Sequence, residues 1–102
     1  MSQAEIDVLA ERQRQIHAEG WDEAHDDQWD ENELIDAAVC YAKPECIRFP
    51  GEEITAYQSR ETWPIGWDRS WWKPTTIRRN LVKAAALIIA EIDRLDRRAI
   101  SP

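Results

Sequence analysis

The sequence predicts an all-α fold with three main helices and a long tryptophan-rich loop, in one domain that spans residues 1 to 102. Apolar residues recur at steps of three and four along the last quarter of the chain, two earlier segments begin with helix-capping residues, and four of the five prolines lie between residues 44 and 74. A chain of 102 residues has room for one modest core. Because helical chains of this size often complete their burial by association, we expect a homo-oligomer.

The first helix is predicted over residues 3 to 19. Ser2 followed by Glu5 forms a capping box, and Gly20 supplies a left-handed cap at the C-terminal end. The apolar residues of this helix form one thin stripe, which indicates peripheral packing. They are Ile6, Leu9 and Ile16.

An acidic connector over residues 21 to 30 holds His25 beside Asp26 and Asp27. Neighbouring carboxylates raise the pKa of a histidine and orient its ring, so these three residues are candidates for a metal site or a general base. The alternative is a histidine that caps a turn or bonds to the backbone.

The second helix is predicted over residues 31 to 43. Asp30 followed by Glu33 is a second capping box, and Lys43-Pro44 ends the helix. Its inward face is predicted to carry Leu34, Ala37, Ala38, Cys40 and Tyr41. Cys40 is expected to be a small core residue and Cys46 a loop thiol, since a structural disulfide does not fit this setting.

The third helix, residues 76 to 98, is the organising element. Its apolar residues fall on one stripe, which is expected to be buried by other helices or by a second subunit. The stripe consists of Ile77, Leu81, Ala84, Ala85, Ile88, Ile92 and Leu95, and it is widened by Val82, Leu87 and Ile89.

The loop over residues 44 to 74 is unusually long and rich in tryptophan. Aromatic faces stack on nucleobases at roughly 1–3 kcal/mol each, so the loop is a candidate ligand site; its tryptophans are Trp63, Trp67, Trp71 and Trp72. Cations that would meet phosphate are Arg60, Arg69, Lys73, Arg78, Arg79 and Lys83. The alternative is a loop that completes a small core, and we expect the tryptophans to divide between these two roles.

Charge is unevenly distributed in this chain of net charge −7. Nine acids and no Lys or Arg lie between Glu19 and Asp36. Such a surface repels a nucleic-acid backbone, so no direct nucleic-acid binding is expected. It would suit divalent cations, the basic C-terminal segment or a basic host protein that normally binds nucleic acid, and it is equally typical of a solvated surface.

No apolar run approaches the roughly 18 residues of a membrane span, and the N-terminus lacks a basic-then-apolar signal pattern. We therefore expect a cytoplasmic protein with no membrane partner. Zinc spacings, phosphate-cradling glycine loops and Ser-His-Asp arrangements are absent from the sequence, which sets those reaction classes aside.

Several segments resemble a group of small phage and prophage proteins. They are ERQRQIHAEGW at 11 to 21, HDDQ at 25 to 28, ELIDAAVCYA at 33 to 42, WP at 63 to 64, WWKP at 71 to 74 and RRNLVKAAALIIAEIDRLDR at 78 to 97. The resemblance covers nearly the whole chain. It implies a phage origin and a host-cell cytoplasm, and it carries no activity with it.

The paired helices, with an acidic first member, are also similar to the all-α MazG-like nucleoside triphosphate pyrophosphohydrolases. That resemblance implies an acidic quartet that holds Mg²⁺, with Glu33 and Asp36 as its first pair and as candidate catalytic and metal-binding residues. The second pair falls on Asn80 and Lys83. Since Lys83 is a cation, it suits phosphate rather than Mg²⁺, and Asn80 would approach the ligand beside it.

These features predict a phage accessory protein that binds and sequesters a nucleotide-type ligand, for example a host immune signal in an anti-defense role, without cleaving it and without a cofactor. One alternative is a divergent Mg²⁺-dependent pyrophosphohydrolase. The other is an acidic inhibitor of a host nucleic-acid-binding protein.

Overall fold

The computed structural model of the chain describes residues 1 to 44, Phe49 and residues 63 to 100. It contains four α-helices, α1 (Gln3–His17), α2 (Glu23–Asp27), α3 (Glu33–Ala42) and α4 (Ile77–Ile100), and a short 3-10 helix at Arg69–Trp71. No strand occurs in these residues. The predicted all-α fold with three main helices is confirmed, and α2 is an addition within the predicted connector.

Helix α1 begins and ends at the residues that local chemistry favours. The Ser2 side chain accepts from the Glu5 amide at 3.2 Å, and the Glu5 carboxylate accepts from the Ser2 amide at 2.9 Å, which confirms the predicted capping box. Gly20 adopts a left-handed φ of 75°, which turns the chain so that the Trp21 amide donates to the Gln15 carbonyl at 2.9 Å.

The second predicted capping box, Asp30 with Glu33, is wrong. Helix α3 begins after Asn32, which is left-handed at φ 70° and makes no side-chain cap, and the Glu33 carboxylate accepts from the Glu31 amide at 2.7 Å. Asparagine tolerates this conformation better than most residues, so the turn before α3 is made by the backbone of Asn32. Asp22 is the aspartate that caps a helix here, since it accepts from the His25 amide at the start of α2.

Helices α3 and α4 pack antiparallel and form the centre of the core. Lys83, early in α4, lies over the Tyr41 ring near the end of α3, while Asp30, just before α3, lines a cleft with Arg94 near the end of α4. The predicted inward face of α3 is confirmed. The buried core residues are Trp21, Leu34, Ala37, Ala38, Cys40, Tyr41, Trp63, Trp67, Ala84, Leu87 and Ala90.

The predicted apolar stripe of α4 is not buried within the chain. Ala84 is the only stripe residue in the core, Ala85 is half-buried, and the five large stripe residues Ile77, Leu81, Ile88, Ile92 and Leu95 are exposed. Helix α4 is apolar on more than one side, and it shares the core cluster with α3 through Ala84, Leu87 and Ala90. Small residues at these positions let the two backbones approach closely.

Helix α1 likewise turns a polar side inward. Glu11, Arg12 and Gln15 are buried, whereas Ile6 and Leu9 of the predicted thin stripe are exposed and Ile16 is half-buried, so this stripe packs only peripherally. The charges on this side are paired: Arg12 meets Asp26 at 3.1 Å, and Glu11 meets Arg14 and Arg79, so none of these buried charges is left without an opposite charge.

Among the described residues, no helix is both long enough and apolar enough to cross a membrane. Cys40 is buried in the core, whereas Cys46 lies outside the described residues.

Candidate functional site

A cleft between α1, α4 and the 3-10 helix brings together part of the predicted ligand site. Trp71, Lys73 and Lys83 line it. The other lining residues were not predicted to bind a ligand. They are Glu11, Arg14, Gln15, Glu19, Trp21 and Tyr41. The cleft is shallow: its enclosed space is about 20 Å³, room for roughly one water molecule, within an open depression of about 280 Å³ that includes solvent.

Tyr41 holds the wall of the cleft in place. Its hydroxyl donates to the Trp71 carbonyl at 2.9 Å and accepts from the Lys73 amide at 3.0 Å. Burial is the main cause that raises the pKa of Tyr41 above its usual value. The tyrosine therefore stays a neutral hydroxyl that fixes the backbone of residues 71 to 73 over α3.

Lys83 lies next to Tyr41 and Lys73 in the cleft, where its charge is disfavoured. Its Nζ donates to the Lys73 carbonyl at 2.6 Å and lies 5.5 Å from the centre of the Tyr41 ring. Burial lowers the pKa of Lys83, and although Glu11 opposes this, the charges of Arg79, Arg14 and Lys73 lower it further. An anion in the cleft would relieve this excess of positive charge.

The two carboxylates of the cleft are already engaged. Arg14 binds Glu11 with two nitrogens at 2.8 and 2.9 Å and reaches Glu19 with a third at 2.9 Å. Burial acts to raise the pKa of Glu11, but the hydrogen bonds and charges of Arg14, Gln15 and Arg79 outweigh it and hold that pKa below its usual value. Glu11 therefore stays ionised and forms ion pairs with the arginines around it.

Gln15 contributes a buried acceptor at the floor of the cleft. Its Nε2 donates to Glu11 at 3.0 Å, whereas its Oε1 is buried and has no hydrogen-bond partner in the described part of the chain. Buried acceptors are nearly always satisfied, so this oxygen is suited to an N–H or O–H group that enters the cleft.

Two other predicted ligand residues lie beside the cleft on the first turn of α4. Arg79 is ion-paired with Glu11 of the cleft, and the Asn80 Oδ1 accepts from the Thr75 amide at 2.7 Å, but neither residue lines the cleft.

The remaining predicted ligand residues lie elsewhere. Trp63 and Trp67 are in the core, with 0% and 4% of their surface exposed. Trp72 packs edge-on against Phe49, and the Arg69 guanidinium lies 4.4 Å from the centre of the same ring. Arg78 is ion-paired with Asp7 at 2.8 Å. Arg60 lies outside the described residues, as does most of the predicted loop.

His25, Asp26 and Asp27 do not point to a common centre. The His25 ring stacks on Trp21 with 5.7 Å between ring centres, and its Nδ1 lies 2.9 Å from the buried carboxylate of Asp26. Asp27 is ion-paired with Arg97 at 2.7 Å. No group of three or more His, Cys, Asp or Glu residues in the described ranges is arranged to hold a metal ion.

Glu33 and Asp36 lie together on α3, half-buried, as the sequence predicts. Burial, and then the charge of Glu33, raise the pKa of Asp36 to about 6. Neither carboxylate bonds to Asn80 or Lys83 in the described structure, because those residues bond to Thr75 and Lys73. Their role in metal binding or catalysis stays a prediction.

The raised pKa of Asp36 predicts a pH-dependent gain from Asp36→Asn. Because the folded-state pKa of about 6 exceeds the ordinary aspartate value of 3.8, the folded chain binds this proton more tightly, and its stability falls as pH rises between those values. We expect Asp36→Asn to raise the free energy of unfolding at pH 7.5 by on the order of 1 kcal/mol, after allowance for solvent screening.

Urea unfolding of this variant and the wild type at pH 7.5 and pH 4 would measure that gain. It should shrink towards zero at pH 4, where Asp36 is protonated in the folded wild type. Asp93→Asn, at an exposed aspartate on α4, is the control. An equal gain at both pH values would contradict the prediction.

Comparison of this chain with protein-family models, curated proteins and solved structures gave no match. The geometry of the cleft is therefore the basis for the function proposed below.

Proposed function

We propose that the protein binds a nucleotide-type ligand in the cleft between α1, α4 and the 3-10 helix, and that it holds this ligand without cleaving it. The observation that carries the proposal is the position of the half-buried Lys83, which lines the cleft with Arg14, Lys73 and Trp71, and whose pKa is lowered because burial and three neighbouring cations outweigh the charge of Glu11. A bound phosphate would reverse that unfavourable balance, since charge-assisted bonds to phosphate are among the strongest in proteins.

The composition of the cleft supports a ligand with an anionic part. Four cations lie in or against it, Arg14, Lys73, Arg79 and Lys83, together with the two carboxylates of Glu11 and Glu19. The chain as a whole carries a net charge of −7, so this excess of cations is local. A local positive region on an acidic protein directs an anion to one place.

The aromatic lining supports a ligand with a flat ring. Trp71 is half-buried at the cleft. Its backbone carbonyl accepts from the Tyr41 hydroxyl, and its ring packs against Trp67 of the aromatic core. A base that stacks on it would gain roughly 1–3 kcal/mol. The Oε1 of Gln15 would then accept from an amino or hydroxyl group of the same ligand.

Binding without cleavage is favoured by the state of the acidic groups. Glu11 and Glu19, the carboxylates in the cleft, are bound by Arg14, so they are poorly placed to hold Mg²⁺ or to activate water. With the phage resemblance of the sequence, stoichiometric capture would suit withdrawal of a host immune nucleotide.

Titration with AMP, ATP, pyrophosphate and a cyclic dinucleotide, followed by tryptophan fluorescence and calorimetry, tests the proposal. We expect at least one nucleotide to bind, and Lys83→Gln to weaken its binding by about tenfold or more because one charged bond to phosphate is lost. The matched control is Arg98→Gln, an exposed cation near the other end of α4. Binding to none of the probes, or equal losses in the two variants, would overturn the proposal.

Recovery of the ligand distinguishes capture from turnover. After incubation with Mg²⁺ or Mn²⁺, chromatography should return the nucleotide intact and in a fixed ratio to protein. Release of pyrophosphate or monophosphate would instead support an enzyme.

The enzyme is the second candidate, and the carboxylate pair on α3 favours it. Glu33 raises the pKa of the half-buried Asp36, and a divalent cation between the two would relieve their repulsion. A divergent pyrophosphohydrolase of this kind should lose turnover in Glu33→Gln and in Asp36→Asn while it retains binding at the Lys83 cleft.

The acidic segment between Glu19 and Asp36 gives less support to the hypothesis that the protein inhibits a host nucleic-acid-binding protein. Three of its nine acids, Glu19, Asp26 and Asp27, are paired with arginines of the same chain, which reduces the charge that this surface offers to a basic host protein.

A further inference from the structure

The exposed side of α4 is a continuous apolar seam with coiled-coil spacing. Leu81, Ile88 and Leu95 recur every seven residues, and so do Ala85, Ile92 and Ala99. A repeat of this kind puts both sets on one side of a helix, where it forms a seam for a partner helix. We define the α4 seam as these six residues, with Ile77 at its end.

Single exposed apolar residues are ordinary on protein surfaces, but a seam that runs along most of a 24-residue helix is not. Ile88 and Ile92, at its centre, are 43% and 52% exposed. Charged residues lie on its flanks and not within it.

Helix α1 extends the seam sideways. Leu9 is exposed and lines a shallow apolar groove with Ala4, Val8 and the Ile89 of α4. The exposed surface therefore includes two helices, as expected of one half of a helical bundle. This also explains why the apolar stripes of α1 and α4 both point away from the core.

The charges that flank the seam favour a second copy of the chain, in antiparallel orientation, as the partner that covers it. Arg78 and Asp96 lie 18 residues apart, about five full turns, and so occupy the same side of α4 at opposite ends of the seam. In an antiparallel pair, a two-fold axis near Leu87 and Ile88 places Arg78 of each copy opposite Asp96 of the other. In a parallel pair, the side that carries Arg78 and Asp96 would face the opposite side of the partner helix, so these two charges would not meet.

Both charged groups are placed to make this contact. The Arg78 side chain is 61% exposed although it reaches Asp7, and Asp96 is exposed and has no ion pair within the described part of the chain. From the seam, its spacing and these flanks, we propose that the protein is a homodimer in which two α4 helices pack antiparallel, with α1 of each copy alongside.

The test begins with the mass of the full chain in solution, measured by sedimentation equilibrium and by light scattering over a range of concentrations. The wild type should have the mass of two chains. Ile88→Glu should raise the dissociation constant by about a hundredfold or more, because two carboxylates would be buried near the two-fold axis. Its circular dichroism should keep the helical signal of the wild type, since Ile88 lies outside the core.

The matched control is Ile65→Glu. Ile65 is 84% exposed and lies away from the seam, so this variant should remain dimeric. A wild type that is monomeric at all concentrations would overturn the proposal. So would an assembly that survives Ile88→Glu, or one that is lost equally in both variants.

A charge exchange tests the orientation. Arg78→Asp and Asp96→Arg should each weaken the antiparallel dimer, by about threefold to tenfold, and the double variant should recover most of that loss. A dimer that Ile88→Glu dissociates but that shows no recovery in the double variant would overturn the antiparallel arrangement.

Discussion

Replacement of Trp63 by alanine should cost about 3–5 kcal/mol of folding free energy, a large share of the stability of a small domain. Trp63 is fully buried although it lies outside the helices. Its ring packs edge-on against Trp67 at 5.6 Å and against Tyr41 at 6.3 Å, and its Nε1 donates to the Asp68 carbonyl.

Urea unfolding followed by circular dichroism measures this cost, and a shift of the midpoint to much lower urea is the expected result. Ile65→Ala, two residues away at an exposed position, should change the free energy of unfolding by less than about 0.5 kcal/mol. A Trp63→Ala variant within 1 kcal/mol of wild type would mean that the loop is only loosely attached to the helices.

The second large effect is expected at Asp26. Its buried carboxylate lies between Arg12 at 3.1 Å and the Nδ1 of His25 at 2.9 Å, and the Nε2 of His25 in turn accepts from Trp29. Asp26→Ala would leave the Arg12 guanidinium buried without its carboxylate. Loss of one partner of a buried pair costs about 3–5 kcal/mol.

The adjacent aspartate is a matched control. Asp27 is half-exposed and pairs with Arg97 at the surface, so Asp27→Ala should cost less than about 1 kcal/mol. The double variant Arg12→Met with Asp26→Leu should be more stable than Asp26→Ala, because no buried charge remains unpaired. Equal costs at Asp26 and Asp27 in urea unfolding would contradict the assignment of the buried pair.

The ion-pair partner of Asp26 could not be predicted from the sequence. His25, Asp26 and Asp27 were candidates for a metal site because carboxylates flank a histidine, yet the structure places Asp26 against Arg12, which lies 14 residues earlier in the chain. Nothing in the local sequence names that arginine as the partner. The contact exists because α1 and α2 are brought together on α4.

The residues that line the cleft could be predicted only in part. Trp71, Lys73 and Lys83 were predictable as ligand-site candidates because aromatic and cationic residues stand out in the sequence. Arg14, Gln15 and Tyr41 were not, since a polar helix surface is ordinarily solvated and a tyrosine in an apolar helix is ordinarily core. Glu11, Arg14 and Gln15 do share one helix side at spacings of three and four, which is the signal that could have found them.

Local signals predict three of the four helices, α1, α3 and α4: the capping box at Ser2, the left-handed Gly20, the proline after Lys43 and the long apolar period of α4. Helix α2 was not predicted. Only the tertiary structure decided which side of each helix is buried. Helix α4 is apolar on two sides and α1 on one, and a period in hydrophobicity does not say whether another helix of the same chain or a second molecule covers it. The buried side of α4 is the one with small residues, and the buried side of α1 is the one with paired charges. Neither side could be predicted locally, because close packing and ion pairing depend on partners that lie far apart in the sequence.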